Sequence, residues 1–261
     1  MDEAIRDHWS GRAEGYSRLV RSRQDSEREK SAWARLYSEA LEGCSGKALD
    51  CGCGPGTAAM RVRALGFEVT GMDFSESMID EARANAEHYG MDIGFVQGDA
   101  EDMPFPDGSF DVIVSQYMLW TVPHPDKVIE EWFRVLRPGG RVAYVDGVWS
   151  GGRHDTAYGR AVMKACRALS RNEAMKNSVS SSVTVSRISG ESLWSLKADH
   201  PADDLRMLEA AGFVGMKVID DVARRVNSKI DYYAFTYKDD YFMIIAEKPR
   251  MARSQSTCGR P

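Results

Sequence analysis

The stretch Ala48-Leu49-Asp50-Cys51-Gly52-Cys53-Gly54-Pro55-Gly56 decides the fold of this 261-residue chain. An apolar run that begins at Lys47 ends in three alternate glycines, and a helical pattern at 57–65 (TAAMRVRAL) follows directly. Glycines at such a turn allow unusual backbone dihedrals and the close approach of a ligand. A strand, a glycine turn and a helix in this order predict an open α/β sheet with a ligand site at the carboxyl ends of its strands.

Strand and helix patterns alternate along the next hundred residues. Further strand patterns lie at 67–73, 93–99, 110–115 and 141–149. The gaps between them hold helical patterns at 75–89 and 125–136. This alternation predicts right-handed βαβ units and a mostly parallel, Rossmann-like sheet with helices on both faces.

The C-terminal part departs from this alternation. Helical patterns at 155–171 and 202–211 precede a strand pattern at 213–220, and residues 231–248 indicate a hairpin or a long loop followed by a strand. The connection before the last strand, YFMIIAEK, is short, and a direct hairpin makes neighbouring strands antiparallel. The sequence therefore predicts an antiparallel strand at the far edge of the sheet.

We expect one domain over residues 1–249. Charged residues with a few aromatics predict one or two helices at 1–42, which would form an N-terminal cap. The insertion after the fifth strand, residues 150–200, contains a serine-rich segment and is predicted to be a lid over the strand ends, with a flexible loop as the alternative. The tail 250–261 is expected to be disordered.

Composition excludes several classes of protein. Hydrophobic residues make up 43% of the chain and charged residues 28%, so the chain is not disordered throughout. The net charge of −5 gives no general attraction to nucleic acid. No apolar run is long enough to span a membrane and the N-terminus is charged, so we expect neither membrane insertion nor secretion. Five scattered cysteines predict reduced thiols, and we expect a cytoplasmic protein.

The spacing of the glycines points away from phosphate ligands. The dinucleotide fingerprint is G-x-G-x-x-G, whereas Gly56 comes one residue early and Thr57 follows it. The chain also has no G-x-x-x-x-G-K-[ST] phosphate loop. Asp50 precedes the glycines, and a carboxylate there would repel a pyrophosphate but attract a cationic amino-acid group. The turn therefore suits a nucleoside that carries a positive charge.

Acidic residues also follow the second and third strands. Asp73, at the end of the second strand, can accept hydrogen bonds from both ribose hydroxyls of a nucleoside. Asp99, after the third strand, can accept from an exocyclic adenine amine, while the Ala100 N–H can donate to a ring nitrogen. One acid after each of three successive strands predicts a nucleoside site at this edge of the sheet.

Four blocks of the sequence resemble the class I S-adenosylmethionine-dependent methyltransferases, in particular the methyltransferase type 11 group. The blocks are LDCGCGPG (49–56), VTGMDFSESMIDEAR (69–83), GDAEDMPFPDGSFDVIVSQYMLW (98–120) and RVLRPGGRVAY (134–144). This resemblance implies a seven-stranded sheet whose last strand is antiparallel. It implies S-adenosyl-L-methionine as cofactor and S-adenosyl-L-homocysteine as product.

The resemblance also implies roles for individual residues. Phe74 and Met78 would flank the adenine or ribose, Glu101 would join Asp99 and Ala100 around the adenine, and Asp73 would hold the ribose. Residues near the methionine end of the cofactor would be Asp50, Gly52, Gly54, Gly56 and Gln116. The segment 8–16 would close over the site and place Tyr16 near the sulfonium.

The acceptor of the methyl group is less constrained. Where many relatives carry a histidine pair after the fourth strand, this chain has Leu119-Trp120-Thr121. An aromatic and apolar pocket predicts a small, partly hydrophobic acceptor. The residues expected to contact it are Tyr117, Trp120, Trp149, His154 and Tyr158, with Met118 and Val148 nearby.

A general base is needed only if the acceptor loses a proton, and the sequence singles out no catalytic residue. The histidines and tyrosines near the strand ends or in the insertion are candidates: His8, His124, His154, His200, Tyr16, Tyr117 and Tyr158. No metal site is expected, because no recognisable set of ligands is present. A nicotinamide-dependent oxidoreductase and a non-catalytic cofactor-binding module are the alternatives. We expect a monomer or homodimer.

Overall fold

The computed structural model describes residues 3–148, 157–170, 193–236 and 240–250. Seven strands form one sheet in the order β3-β2-β1-β4-β5-β7-β6. β1 pairs in parallel with β2 and β4, β2 with β3, and β4 with β5. The predicted Rossmann-like, mostly parallel sheet is confirmed. Its strands are β1 Lys47–Cys51, β2 Glu68–Asp73, β3 Gly94–Gln97, β4 Phe110–Gln116, β5 Leu136–Val148, β6 Val214–Ile219 and β7 Asp240–Glu247.

The helices of the βαβ units begin and end within a few residues of the predicted bounds. The helices are α1 Glu3–Ser10, α2 Ala13–Gln24, α3 Glu27–Ala40, α4 Thr57–Arg63, α5 Glu76–His88, α6 Pro125–Val135, α7 Ala157–Leu169, α8 Ala202–Ala210 and α9 Val222–Val226. Short helical turns lie at Leu119–Thr121, Trp194–Leu196, Lys229–Asp231 and Tyr232–Thr236.

The N-terminal segment holds three helices where the sequence predicted one or two. Ser26 separates α2 from α3, because its hydroxyl accepts a hydrogen bond from the Glu29 N–H at 3.3 Å and so starts a new helix. The side chain of Ser75 caps α5 in the same way by accepting from the Met78 N–H.

The far side of the sheet differs from the prediction in two respects. β7 is antiparallel, as expected, and pairs with both β5 and β6. The direct hairpin was wrong, because residues 220–239 join β6 to β7 and include α9 and two helical turns. β7 also lies inside the sheet, and β6 forms the edge. Residues 242–246 (FMIIA) are all buried, which suits a strand covered on both faces and not an edge strand.

Both faces of the central strands are covered. Trp33 and Leu36 of α3 and Val62 of α4 pack on one face, together with α9. Trp132 of α6 and Leu208 of α8 pack on the other. This arrangement places the carboxyl ends of β1, β2 and β4 together at one edge of the sheet, where α1 and α2 lie across them.

The predicted lid at 150–200 is described only in part. α7 and residues 193–200 belong to it, whereas 149–156 and 171–192 lie outside the described residues, as does the tail after residue 250. The insertion does follow the fifth strand, since among the described residues the next strand after β5 is β6. Its function as a lid and the single-domain boundary stay predictions.

Candidate functional site

A cavity lies over the carboxyl ends of β1, β2 and β4, with α1 and α2 as its cover. Together with the adjoining open solvent, it contains about 1040 Å³ of empty space. Ten of the residues predicted to contact the cofactor or the acceptor line it: Tyr16, Asp50, Gly52, Gly54, Asp73, Phe74, Met78, Ala100, Gln116 and Tyr117. The sheet topology therefore brings together residues that are up to about a hundred positions apart in the chain.

Five of the residues predicted to contact the cofactor or the acceptor are described but do not line the cavity: Gly56, Asp99, Glu101, Trp120 and Tyr158. Tyr158 is on α7 with 76% of its side chain exposed. Trp149 and His154 lie outside the described residues. The roles assigned to all of these residues stay predictions.

The glycine turn after β1 has the backbone that its composition requires. Gly52 and Gly54 have φ values of +70° and +50°, a region that side-chain-bearing residues rarely adopt. The N–H groups of Gly52 and Cys53 both donate to the Met72 carbonyl, at 2.8 and 2.9 Å, which holds the turn against the end of β2. A Cβ atom added at Gly54 would have no heavy atom within 4 Å, so the turn borders open space on the cavity side.

Asp50 lies at the floor of the cavity and is only 1% exposed. Its Oδ2 accepts from the Ala59 N–H of α4 at 2.7 Å. Its Oδ1 is buried and has no hydrogen-bond partner within the described part of the chain. Burial raises the pKa of Asp50 to about 7; the Ala59 N–H opposes this shift, and the nearby charge of Asp73 adds to it. A cationic ligand group at Oδ1 would satisfy this oxygen.

Asp73 joins the glycine turn to the start of α5. Its Oδ2 accepts from the Gly54 N–H at 2.8 Å and its Oδ1 accepts from the Ser75 N–H at 3.0 Å. Burial raises the pKa of Asp73, and the backbone N–H groups that face it oppose the shift. Carboxylate oxygens have several acceptor positions, so Asp73 can still accept from a ligand hydroxyl.

The third predicted acid is turned toward its own loop. Asp99 Oδ1 accepts from the Glu101 N–H at 2.9 Å. Glu101 Oε1 in turn accepts from the His124 N–H at 3.4 Å. Ala100, between the two acids, lines the cavity and is 3% exposed. In the loop after β3, Ala100 therefore borders the cavity, whereas Asp99 and Glu101 do not line it.

The cover of the cavity is built from aromatic contacts between α1, α2 and the turn after β4. The Trp9 ring meets Tyr16 edge-on at 5.9 Å between centroids and Trp120 at 6.3 Å. The Arg6 guanidinium lies 5.7 Å from the centre of the Phe74 ring. The hydroxyls of Ser10 and Ser75 are 2.8 Å apart. α1 therefore contacts both the β2 side and the β4 side of the cavity.

Sequence reasoning missed much of this cover. Besides Tyr16, the residues of α1 and α2 that line the cavity are Ile5, Arg6, Trp9, Leu19, Val20 and Arg23. A signal was present, because positions 16, 19, 20 and 23 recur at helical spacing and so share one face of α2. The pattern along 1–42 does not by itself say what that face covers.

Gln116 and Tyr117 form the wall at the end of β4. Gln116 Oε1 accepts from the Arg61 Nη1 at 2.8 Å. Tyr117 has φ of +58°, which is uncommon outside glycine and marks local backbone strain. Its N–H donates to the Val145 carbonyl at 2.8 Å, and its ring lies 5.2 Å from that of Tyr241. Burial raises the pKa of Tyr117 to about 12, so the phenol is neutral at physiological pH.

Trp120 lies behind this wall and is 3% exposed. Its backbone N–H donates to Asp146 Oδ2 at 3.0 Å, and its indole N–H donates to the Tyr117 carbonyl at 2.8 Å. It packs in a small cluster with Ile5 and Leu193. Trp120 therefore links α1 to the last part of the insertion, at Leu193, and supports the cavity from outside.

His200 belongs to a separate buried network. One ring nitrogen bonds to Asp204 Oδ2 and the other faces the Ser195 carbonyl at 3.1 Å. Tyr144 donates to the second oxygen of Asp204 at 3.0 Å. Burial alone would lower the pKa of His200, but the bond to Asp204 and the charges of Asp204 and Asp146 outweigh it, and the pKa is raised. Both nitrogens of His200 are engaged, which argues against its use as a base.

Neither a metal-binding cluster nor a membrane-spanning helix is found in the described part of the chain. Among residues 3–148, 157–170, 193–236 and 240–250, no group of three or more His, Cys, Asp or Glu side chains is placed to hold a metal ion. Across the same ranges, no helix is both long and apolar enough to cross a bilayer.

Comparison with known proteins identifies the central segment. Residues 49–144 match the family model described as a methyltransferase domain. A demethylmenaquinone methyltransferase of Thermus thermophilus is 38% identical over 114 residues, which are 43% of this chain and 52% of that protein. A phosphatidylethanolamine N-methyltransferase of Cereibacter sphaeroides is 36% identical over 103 residues, or 39% of this chain and 50% of that protein.

The fold also resembles that of solved structures. A Haemonchus contortus phosphoethanolamine N-methyltransferase, in complex with phosphomonomethylethanolamine and S-adenosylhomocysteine, superposes with a TM-score of 0.57 at 18% identity. The superposition covers 84% of this chain and 53% of that chain. At this identity the likeness concerns the fold. The chain spans about half the length of the curated relatives it matches.

Proposed function

The chain belongs to the class I S-adenosylmethionine-dependent methyltransferases, and we propose that it transfers the methyl group of S-adenosylmethionine to a small, partly hydrophobic metabolite. The observation that carries this proposal is the placement of Asp50 and Asp73 at neighbouring strand ends, on the wall of one cavity. A nicotinamide-dependent oxidoreductase is disfavoured by the early third glycine, Gly56, and by the acid at position 50.

The residues of the cavity fit this cofactor. The buried Oδ1 of Asp50 lacks a partner in the described residues, and an ammonium group of a ligand would supply one. Open space beside Gly54 leaves room for a ligand against the backbone. Asp73 would hold the ribose hydroxyls, with Phe74 and Met78 beside the nucleoside and Ala100 at the adenine edge. Gln116 would lie at the methionine end.

Methyl transfer from a sulfonium is an in-line displacement of an already activated carbon. Alignment and exclusion of water can therefore supply much of the rate enhancement. In this chain the fixed turn from Gly52 to Gly54 would orient the cofactor. The cover formed by α1 and α2, with Trp9 and Tyr16, would exclude water. The chain does not need an assigned base when the acceptor atom is already nucleophilic.

The acceptor would enter where aromatic and apolar side chains line the cavity. Tyr117, Met118 and Thr121 form this part together with Ile5 and Trp9 of α1. Such a surface suits a small molecule with an apolar body and one or two polar groups. Residues Trp120, Trp149, His154 and Tyr158 stay sequence predictions for this pocket, as do the lid at 150–200 and the domain limits 1–249. Cytoplasmic location, absence of nucleic-acid partners and a monomeric or homodimeric state are further predictions.

Isothermal titration of the full chain with S-adenosylmethionine and S-adenosylhomocysteine tests the cofactor assignment. We expect both to bind at one site per chain, and NAD(H) not to bind. A folded sample that binds neither sulfur nucleoside would contradict the proposal. A mass-shift screen of metabolite extracts with a labelled methyl donor then tests for catalysis. A chain that binds the cofactor but labels no extract component would instead favour the non-catalytic module.

A further inference from the structure

A buried arginine, Arg61 of α4, lies next to the cavity without lining it, and is 4% exposed. Its guanidinium lies 4.2 Å from the centre of the Trp33 ring, and its Nη1 donates to Gln116 Oε1 at 2.8 Å. Burial of a guanidinium is costly, and burial lowers the pKa of Arg61 to about 10. An arginine that is buried at this cost is expected to have a specific function.

The function of Arg61 is to orient the side-chain amide of Gln116. A guanidinium carries only donors, so it can pair only with the carbonyl oxygen of Gln116. The NH₂ group of Gln116 must then point away from Arg61. The Gln116 side chain also hydrogen-bonds to the phenol oxygen of Tyr117, which uses one of its two N–H groups. With Arg61 in place, Gln116 therefore presents a donor to the cavity and not an acceptor.

The residues around Gln116 also favour a ligand group that accepts hydrogen bonds. Arg23 lines the cavity, and its charge acts on both Tyr117 and Arg61. The ligand group that this wall receives must therefore be a hydrogen-bond acceptor, and a carboxylate fits best. Asp50, with its unpartnered Oδ1, lies elsewhere on the cavity wall and suits the opposite charge. The two walls together match the two charged ends of an amino acid.

We infer that Arg61 is a positioning residue, which fixes the Gln116 amide so that its N–H receives the carboxylate of the amino-acid end of the cofactor. This inference rests on the proposed function, because it takes S-adenosylmethionine as the ligand. Arg61 does not line the cavity, so its hydrogen bond reaches the ligand through Gln116. Loss of Arg61 would free the amide to turn its oxygen toward the cavity, where it would face the carboxylate with an acceptor.

The test compares two probes in each variant by isothermal titration: S-adenosylhomocysteine, and its decarboxylated analogue, which keeps the amine and lacks the carboxylate. Their affinity ratio cancels any general loss of folded protein. We expect the wild-type chain to prefer S-adenosylhomocysteine, and Arg61→Met to reduce this preference about tenfold. Arg61→Lys, which keeps a cationic donor, should restore part of it.

Two further variants complete the comparison. Gln116→Glu keeps the shape and the partner of Arg61 but places a carboxylate in the wall, so it should weaken S-adenosylhomocysteine binding more than tenfold and spare the analogue. The matched control is Arg63→Gln on the same helix, where the Arg63 Nε donates to the Asp92 carbonyl at 2.9 Å. The affinity ratio of the two probes in Arg63→Gln should equal that in the wild type.

The outcomes separate the two proposals. If the wild-type chain binds neither probe, the proposed function fails, and this inference fails with it. If the wild-type chain binds both probes equally, the cofactor assignment stands and the carboxylate wall is wrong. An unchanged ratio in Arg61→Met and Gln116→Glu would also overturn the inference. Should Arg61→Met not fold, Arg61→Lys takes its place, and a wild-type ratio in that variant would overturn the inference.

Discussion

The Gly54 N–H donates to Asp73 Oδ2 at 2.8 Å, and this bond ties the glycine turn after β1 to the end of β2. Because Asp73 also accepts from the Ser75 N–H, one carboxylate fixes both the turn and the start of α5. The same carboxylate is the proposed ribose ligand. Binding of the cofactor and the local structure of the site therefore depend on a single side chain.

Replacement of Asp73 by alanine should weaken S-adenosylhomocysteine binding on the order of 100-fold. The reason is that the two ribose hydroxyls lose their hydrogen bonds to a charged carboxylate. Titration calorimetry measures this change. The control is Asp126→Ala on the exposed face at the start of α6, which should stay within about twofold of the wild type. Equal, small effects in the two variants would contradict the ribose assignment.

Cofactor affinity should depend on pH through Asp50. Burial raises the pKa of Asp50 from 3.8 to about 7, and the ionised form is the one that attracts a cation. The affinity for S-adenosylhomocysteine should therefore rise up to about tenfold between pH 6 and pH 8. In Asp50→Asn the affinity should be lower and this rise absent. A variant that keeps the wild-type pH profile would show that Asp50 is not responsible.

The same shift predicts a change in stability. Between pH 4 and pH 7, roughly, the folded chain holds a proton on Asp50 that the unfolded chain has lost, so the free energy of unfolding falls as the pH rises. Asp50→Asn removes this cost, since an amide oxygen can still accept from the Ala59 N–H. We expect the variant without ligand to be more stable than the wild type at pH 8 by on the order of 1–3 kcal/mol in urea unfolding. Equal stabilities of the two proteins at pH 8 would contradict the destabilisation assigned to ionised Asp50.

His200 should stabilise the chain most at low pH. Its pKa is raised, so its contribution is complete below the ordinary value of 6.5 and is lost as the pH rises through the raised value. His200→Gln should lower the free energy of unfolding by about 3 kcal/mol at pH 6, because Asp204 keeps a buried charge, and by less at pH 9. The exposed His124→Gln should stay within about 0.5 kcal/mol at both pH values. A loss for His200→Gln that does not vary with pH would contradict the charged pair.

Cofactor binding should order α1. Its Arg6 and Ser10 contact Phe74 and Ser75, which are on the cavity wall or beside the nucleoside position. Hydrogen–deuterium exchange should show amides of residues 5–10 slowed about tenfold by S-adenosylhomocysteine, while those of α8 stay unchanged. Equal protection of both helices would indicate a global effect of binding rather than closure of the cover.

Local sequence patterns were enough to predict the sheet and the positions of its strand ends. Glycines at 52, 54 and 56 and the alternation of strands with helices specify local conformations, which depend on near neighbours in the chain. For that reason the strand pattern suffices to assign Asp50, Asp73 and Gln116 to one edge of the sheet. The resemblance to a family added their expected roles, and residues 49–144 match the family model described as a methyltransferase domain.

Which side chains meet across that edge depends on how distant segments pack in the folded chain. The place of β7 inside the sheet depends on pairing with β5 and β6, and the face of α2 that carries Arg23 acquires its role only when the helix covers the cavity. The contact from Arg61 to Gln116 joins residues 55 positions apart. Hydrogen bonds and burial between distant segments leave no period or spacing in the sequence, so their electrostatic consequences appear only once the chain is folded.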